Sequence, residues 1–525
     1  MVRLSQTLSH DKKIYWLVIE DRANCTMRIR WVLERSGLKF AHLSSQAPES
    51  SLPKEQREAS LRNTALDVLL NAIVTTTTTS QGIAYFGDDD NSYDLRLFPA
   101  LRATRRVSTF PVGFIANGRY ERCIVDETTG KISRIASNWV ENRAFPIDMG
   151  GFAIHTDLLR ARRPRFAPAS VPGYLESKFL EQVVGGVAEM EPLMESCSRV
   201  FVWHTQTVAG DKRNRIGVVG GDSEYEDISK LNSINSPYRT SYILQETFEH
   251  AFQDITQHVD TQPQQQQQWI FFVTPTYERP TQIADMVRLS QTLSHDPSIY
   301  WIVIEDRANC SMRVRWILER SGLHFAHLSV LSPKPQPPPD YTNKTIPPNS
   351  ISRGVSQRNA ALDLITAEKF TGVVYFGDDD NVYDTRLFNE LRKTQRVAVF
   401  GVAFVGNGKY ERCVVDAGGR VVALLSNWAA GRKFSMDMGG FAVHSRVLSL
   451  VPEDKVRPLP RFRSSVRKGF LETDFIEQIV DHVGQLEPLM DNCTRFYVWH
   501  VQTDVQNMME KVESDDLYED ISALM

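Results

Sequence analysis

The chain is 525 residues long, 42% hydrophobic and 24% charged, which is enough to build several well-packed domains of ordinary size. A formal net charge of −4 gives no reason to expect nucleic acid as a partner. No run of about 18 or more apolar residues occurs, so no bilayer-spanning segment is predicted.

The N-terminus begins directly in MVRLSQTLSH with no apolar signal core ahead of it. That start fits either a cytosolic protein or an incomplete or fused reading frame. The six cysteines fall into two sets of three: Cys25, Cys123 and Cys197, then Cys310, Cys413 and Cys493. This is no dense disulfide scaffold, and pairing within a set leaves at least one thiol free.

Segments met early in the chain return later. MVRLSQTLSH at Met1 recurs at Met286, and IYWLVIEDRANC ending at Cys25 recurs as IYWIVIEDRANC ending at Cys310. YFGDDDN appears at Tyr85 and Tyr375, DMGGFA at Asp148 and Asp437, VWH at Val202 and Val498, and YEDIS at Tyr225 and Tyr518. The offset widens along the chain, so insertions have accumulated in loops, one of them the proline-rich KPQPPPDYTNK after Pro333. The repeat is of domain scale, unlike the short period of a solenoid. It divides the chain into copy one (1–229), a polar linker (230–268) that ends in a glutamine run, and copy two (269–525).

Copy one starts in MVRLSQ and has no counterpart of the WIFFVTPTYERPTQIAD that opens copy two, so it is predicted to lack a first strand. In copy two, WIFFV stops at TPTY, IYWIVI stops at Glu305 and Asp306, and GVVYF stops at Gly377 before Asp378, Asp379 and Asp380. Short β-branched and aromatic runs of this kind predict strands buried on both faces. SMRVRWILERSG has helical spacing and a glycine stop, and LETDFIEQIV predicts a second helix with Glu472 near its start. Strands alternating with helices predict an open, mainly parallel α/β sheet with ligands beyond the carboxyl ends of its strands, where the polar groups fall.

Three consecutive carboxylates repel one another unless a cation is near, and hard oxygens suit Mg²⁺ or Mn²⁺ bridging phosphates. A solvated acidic turn is the plainer reading of an isolated triplet. Arg353 and Arg358, in SRGVSQRNAALD, could grip a phosphate or a sugar carboxylate, although either alone also suits a surface cation. Glu472 taken alone suits a helix-end charge.

The ordered set TPTYxRP, VxED, RGVxQRNxALD, YFxDDDNxY, a YE pair, W…R…F…DMxGFA, LE and NCTR…VWH spans nearly all of residues 269–503. This set resembles the β-1,3-glucuronosyltransferase family (glycosyltransferase family 43), which builds the proteoglycan linkage region and a related carbohydrate epitope. The resemblance implies a duplicated glycosyltransferase-A fold, with a mostly parallel nucleotide-sugar-binding sheet and an acceptor-binding part. It implies UDP-glucuronic acid as donor, Mn²⁺ as cofactor and a galactose-terminated glycan or glycoprotein as acceptor. On the donor side it assigns Pro275, Thr276 and Tyr277 to the uridine and Asp306 to the base. Arg353, Arg358, Lys468, Asp378 and Asp379 follow, with Asp380 as the metal ligand and His500 on the diphosphate. On the acceptor side it assigns Glu411, Trp428, Arg432 and Asp437.

Glu472 matches the family's base, which removes the acceptor hydroxyl proton and inverts the anomeric centre. Two positions depart from the family pattern: Lys468 replaces an arginine and so loses its planar fork, and Arg412-Cys413 replace a small residue and proline. Copy one keeps Asp21, Arg57, Arg62, Asp88, Asp89, Asp90 (its metal ligand by the same match), Glu121, Trp139, Arg143, Asp148, Glu176 (its base) and His204. Pro172 stands there in the place of Lys468. Copy one is therefore expected to fold poorly or bind weakly. The resemblance also implies a Golgi lumenal enzyme and dimerisation, or pairing of the copies within one chain. The sequons at Asn24, Asn309, Asn343 and Asn492 are compatible with that compartment. Two other functions compete: a pseudoenzyme that binds UDP or glycan, and an inverting transferase for another UDP-sugar.

Overall fold

The computed structural model describes residues 1–45, 54–75, 82–114, 119–137, 143–167, 174–209, 268–333, 353–405, 409–426, 431–449, 459–466 and 469–504. The chain divides into two units, one built around Met1–Thr207 and the other around Leu289–Gln502 with the strand Ile270–Thr276. The linker, the insertion after Pro333, Asn343 and both YEDIS segments lie outside the described residues.

An apolar run with no polar alternation has no face to offer water, and in the second unit such runs form the middle of a seven-stranded sheet. Its order is His324–Ser329, Ile299–Glu305, Ile270–Thr276, Val373–Phe376, Phe441–His444, Val397–Val399 and Glu487–Pro488. Every residue of Ile299–Glu305 and of Val373–Phe376 is buried. Trp301 has no exposed surface, and its indole N–H donates to Thr274 Oγ1 at 3.0 Å, so the one polar atom of this core side chain is satisfied. The first four strands are parallel, and the register sets Thr276 opposite Glu305 and Val273 opposite Phe376. The polar residues that end these strands therefore emerge along one carboxyl edge.

The expectation of a mainly parallel sheet holds: four of its six strand pairings are parallel, the last being Val397–Val399 with Glu487–Pro488. Phe441–His444 enters directly from the one-turn helix Met438–Gly440, without a crossover helix, and runs antiparallel to both its neighbours. A second sheet orders Val382–Tyr383, Phe496–Trp499, Gly401–Val405, Lys409–Val415 and Val421–Leu425. A disulfide, Cys413–Cys493, fastens it to the left-handed turn Met490–Cys493.

The helix Met312–Arg320 begins at Ser311, whose hydroxyl accepts from Val314 N at 3.4 Å, and ends before Gly322 at φ +69°. Residues 471–480 form a shorter helix than expected, Leu471–Glu477, with residues up to Val480 continuing as hydrogen-bonded turns. Phe475 of this helix stacks on Phe462 at 4.3 Å, and Phe462 meets Phe376 edge-on at 5.1 Å. That aromatic column locks the helix bearing Glu472 to the strand that precedes the aspartate triplet.

The first unit repeats this plan with one difference. Tyr15–Glu20 and Lys39–Ser44 form a parallel two-stranded sheet, separate from a four-stranded sheet ordered Glu191–Pro192, Val107–Thr109, Phe152–His155 and Ile83–Tyr85. Among the described residues no strand lies between Tyr15–Glu20 and Ile83–Tyr85, the place that Ile270–Thr276 fills in the second unit. A five-stranded sheet and the disulfide Cys123–Cys197 are repeated as well. Cys25 and Cys310 stay free and exposed, one thiol per set as the odd count requires. No helix among the described residues is long and apolar enough to cross a membrane.

Candidate active site

The carboxyl edge of the second unit's sheet gathers most of the sequence-predicted donor residues. Thr276, the last residue of its strand, donates its hydroxyl to Asp379 Oδ2 at 2.6 Å, and Arg279 Nη2 reaches Asp379 Oδ1 at 2.7 Å. Arg358 Nη2 donates to Asp378 Oδ1 at 2.7 Å, and its Nη1 holds the Arg353 carbonyl at 3.2 Å. Gly354 makes this approach feasible: at φ +75°, a Cβ there would sit 2.3 Å from Arg358 Nη1. Tyr383 ties the Asp378 carbonyl from below at 2.8 Å. Asp378 and Asp379 each have an arginine partner, and the triplet is a built feature rather than a solvated turn. Tyr277 projects outward, 43% exposed, with the guanidinium carbons of Arg279 at 4.9 Å and Arg353 at 5.8 Å from its ring centre. Pro275 lies beside Gly354. Asp306 is at the same edge, but its carboxylate accepts from Ser332 N and Ser332 Oγ, each at 2.7 Å.

Glu411 and Arg432, each 2% exposed at the side chain, form an ion pair of 2.5 Å, and the Ser426 hydroxyl donates to the same carboxylate. Arg432 also holds the Met436 carbonyl at 3.1 Å. Burial raises the Glu411 carboxyl above its ordinary range in spite of Ser426 and Arg432. Asp437 accepts from Gly439 N at 2.9 Å and lies 3.2 Å from His500 Nδ1. Burial opposes its ionisation, but His500, the Gly439 N–H and Arg432 together outweigh that and hold Asp437 below the ordinary aspartate value. His500 is in turn raised to about 10: burial alone would lower it, and Asp437, Asp378 and Asp380 lift it.

Glu472 stands in the first turn of Leu471–Glu477, with Oε2 buried and without a hydrogen-bond partner among the described residues. Burial pushes its carboxyl up to about 7; Asp437 adds to the rise, and its own backbone N–H, Arg358 and Arg432 oppose it. A buried carboxyl raised to about 7, with one oxygen unpartnered, is poised to take up a proton. The structure therefore brings together Thr276, Arg358, Asp378, Asp379, Asp380, Glu411, Arg432, Asp437, Glu472 and His500. Trp428 and Lys468 lie outside the described residues. Sequence reading passed over Arg279 and Ser426. Arg279 sits inside TPTYxRP, three residues after Thr276, and that spacing was the available signal.

The first unit reproduces the acceptor side and the candidate base. Arg143 Nη2 meets Glu121 at 2.6 Å, Gly150 N donates to Asp148 at 2.9 Å, and His204 Nδ1 lies 3.2 Å from Asp148. Burial lifts Glu176 to about 7, as it does Glu472. Its donor side is looser. Arg62 reaches Asp88 at 3.2 Å, Arg57 reaches Asp21 at 3.2 Å, and the Asp89 side chain is 61% exposed against 6% for Asp379. Burial also raises Asp90 above its ordinary value. Trp139 and Pro172 lie outside the described residues.

The sequence profile of Glycosyltransferase family 43 matches residues 4–208 and again 289–504. Galactosylgalactosylxylosylprotein 3-beta-glucuronosyltransferase S of Drosophila melanogaster is 37% identical over 317 residues, which cover 59% of this chain and 71% of that protein. Galactosylgalactosylxylosylprotein 3-beta-glucuronosyltransferase 3 of Homo sapiens is 40% identical over 255 residues, 46% of this chain and 72% of that protein. The corresponding enzyme sqv-8 of Caenorhabditis elegans is 39% identical over 240 residues, 45% of this chain and 64% of that protein. With both units matched by one profile, the chain is a tandem member of glycosyltransferase family 43.

Proposed function

We propose that the second unit of this glycosyltransferase transfers glucuronic acid from UDP-glucuronic acid to a galactose-terminated glycan, with inversion. The observation that carries this reading is Glu472, a buried carboxyl raised to about 7 between the arginine of the donor side, Arg358, and that of the acceptor side, Arg432. The names of the relatives support the sugar and the linkage-region acceptor.

Glu472 takes the proton from the acceptor hydroxyl as that oxygen attacks C1 of the donor sugar. The bond from C1 to the UDP oxygen breaks, the electron pair leaves with UDP, and an α-linked donor gives a β-linked glucuronide. One base suffices, because no covalent sugar intermediate forms. Arg358, Arg353 and His500 present positive charge to the donor's phosphates and sugar carboxylate. Tyr277 offers the uridine an aromatic face. The buried Glu411–Arg432 pair, fixed by Ser426 and Met436, presents a rigid polar wall to the acceptor sugar.

The aspartate triplet fits a divalent cation. Its donors are all hard oxygens, and Asp378 and Asp380 concentrate enough negative charge to help lift His500. Asp380 would hold Mn²⁺, which supplies Lewis-acid stabilisation of the charge on departing UDP. We place the enzyme in the Golgi lumen. The disulfides Cys123–Cys197 and Cys413–Cys493 support an oxidising compartment.

The test is transfer by the full chain with UDP-glucuronic acid, Mn²⁺ and a galactosyl-galactose acceptor. Product with β configuration that is lost with chelator supports the reading. UDP binding without product from any galactose-ended acceptor would sink it in favour of a binding protein. Product only from another UDP-sugar would replace the donor.

A further inference from the structure

We infer that Glu305, Cys310 and His327 form a separate site for a zinc-like divalent ion, which pins the turn after Ile299–Glu305 to the neighbouring strand. The inference does not depend on the donor reading above. The three side chains bring a carboxylate oxygen, a thiol and a ring nitrogen within 4.8 Å of one another. They come from three places. Glu305 ends its strand, Cys310 stands just ahead of the helix-capping Ser311, and His327 belongs to His324–Ser329, the next strand of the sheet. Two of the three are fixed beforehand: the Glu305 and His327 side chains are 0% and 2% exposed, and His327 Nε2 lies 2.8 Å from Glu305 Oε1. Ser311 orients the carboxylate from outside, its N–H donating to Oε1 at 2.6 Å and its hydroxyl to Oε2 at 2.8 Å. Outer partners of this kind hold metal ligands in place. Cys310 is free and exposed, with its Sγ 3.5 Å from the His327 carbonyl.

A cap for the helix Met312–Arg320 accounts for Glu305 and Ser311, but a cap needs neither a thiol nor an imidazole. To bind an ion, His327 presents Nε2 bare with its proton on Nδ1, and Cys310 gives up its proton to become a thiolate. The separations, 2.8 Å for the buried pair and up to 4.8 Å for the group, bracket the roughly 3.3–3.6 Å between ligands of a tetrahedral zinc ion. The exposed cysteine is the ligand with room to close the gap, and water takes the fourth position. A thiolate and an imidazole select a borderline-soft ion such as Zn²⁺, whereas the aspartate triplet offers only hard oxygens, so the two sites take different metals. The first unit repeats the contacts. His42 Nε2 is 2.5 Å from Glu20 Oε1, Thr26 N donates to the same oxygen at 2.8 Å, and Cys25 Sγ is 3.4 Å from the His42 carbonyl. Among the described residues, however, the three ligand atoms gather within 4.8 Å only in the second unit.

The experiment titrates Co²⁺, a spectroscopic stand-in for Zn²⁺, into the full chain at slightly alkaline pH, with excess Mn²⁺ to fill oxygen-only sites. Four of the six cysteines are paired, so a near-ultraviolet sulfur-to-cobalt charge-transfer band can arise only at Cys310 or Cys25. The band is expected to saturate at one cobalt per chain, to survive Cys25→Ser, to vanish in Cys310→Ser and to be displaced by Zn²⁺ but not by Mg²⁺. Intense visible bands of tetrahedral cobalt should accompany it. His327→Gln should weaken cobalt binding by at least about tenfold, the lower end of what losing even an outer partner costs. Cys310 is exposed, so its replacement leaves the packing alone and the test stays readable should His327→Gln fail to fold. Absence of the band, or its loss in Cys25→Ser with survival in Cys310→Ser, would overturn the inference. So would the weak visible bands of octahedral cobalt, or full affinity in a folded His327→Gln, since either means that the thiol binds cobalt alone. The aspartate triplet gives no sulfur band, so every one of these outcomes leaves the donor reading untouched.

Discussion

Ile299–Glu305 and Tyr15–Glu20 carry almost the same sequence, yet the first is buried at every position and the second only at Trp16. The difference comes from the neighbour. Ile299–Glu305 has Ile270–Thr276 on one side and His324–Ser329 on the other, whereas among the described residues Tyr15–Glu20 pairs with Lys39–Ser44 alone. The same missing neighbour explains the chemistry. Thr276 and Arg279, which hold Asp379, both belong to the segment that has no counterpart in the first unit, and Asp89 is correspondingly exposed. The acceptor side and the base depend on other elements and are unchanged. A catalytic set can therefore be nearly complete in its residues and still be incomplete as a site.

The largest test of this contrast is at the two glutamates. Glu472→Gln should lower product formation by the full chain by about 10²–10⁴-fold, the usual worth of a positioned base. Glu176→Gln should leave it within about twofold if the first unit contributes little. Rates that fall equally with either substitution would show that the split sheet does not impair the first site.

Amide exchange sharpens the contrast at the backbone. Successive N–H groups of a strand point to opposite neighbours, so every second amide of Tyr15–Glu20 faces the side where no strand among the described residues pairs. Those amides should exchange roughly 100-fold faster than their counterparts in Ile299–Glu305. Equal protection would mean that the open edge is covered by another part of the chain.

Much of this contrast was legible in the sequence, for identifiable reasons. A strand buried on both faces leaves an unbroken apolar run, so residues 299–304 and 372–376 announced themselves, and the repeat exposed the absent counterpart of WIFFVTPT. The residues that carry charge were legible by type and motif. Their partners were not. Arg279–Asp379 and Asp437–His500 join positions far apart in the chain, and only the fold decides that Asp437 faces a histidine. The antiparallel entry of Phe441–His444 was hidden for the same reason: a short buried strand reads alike in either direction. The end of the helix bearing Glu472, at Glu477, left no stop signal, because the residues up to Val480 keep the apolar spacing while the backbone turns away.

The pH profile of turnover addresses the base more gently. With its carboxyl raised to about 7, Glu472 is protonated and unable to accept a proton below that value. Initial rates at saturating substrate should therefore rise about tenfold per pH unit up to about 7 and level off above it. A profile that levels near the ordinary glutamate value would mean that the base is not buried in the working enzyme.

The smallest expected effect is on stability, and it bears on whether the units behave separately. A folded carboxyl raised above its unfolded value binds protons more tightly in the native state, so native stability falls as pH climbs from about 4.5 through about 7. Replacing Glu472 by glutamine removes that loss and should raise Tm by roughly 2–5 °C at pH 8, with no gain at pH 4. Glu176 is raised in the same way and should give a gain of the same sign. Calorimetry of the full chain then has two readable outcomes. If Glu176→Gln moves an early transition and Glu472→Gln a later one, the first unit is the less stable of two domains that unfold apart, as its open sheet edge implies. If both substitutions move one shared transition, the two units unfold together, and the open edge costs the whole chain rather than the first unit alone.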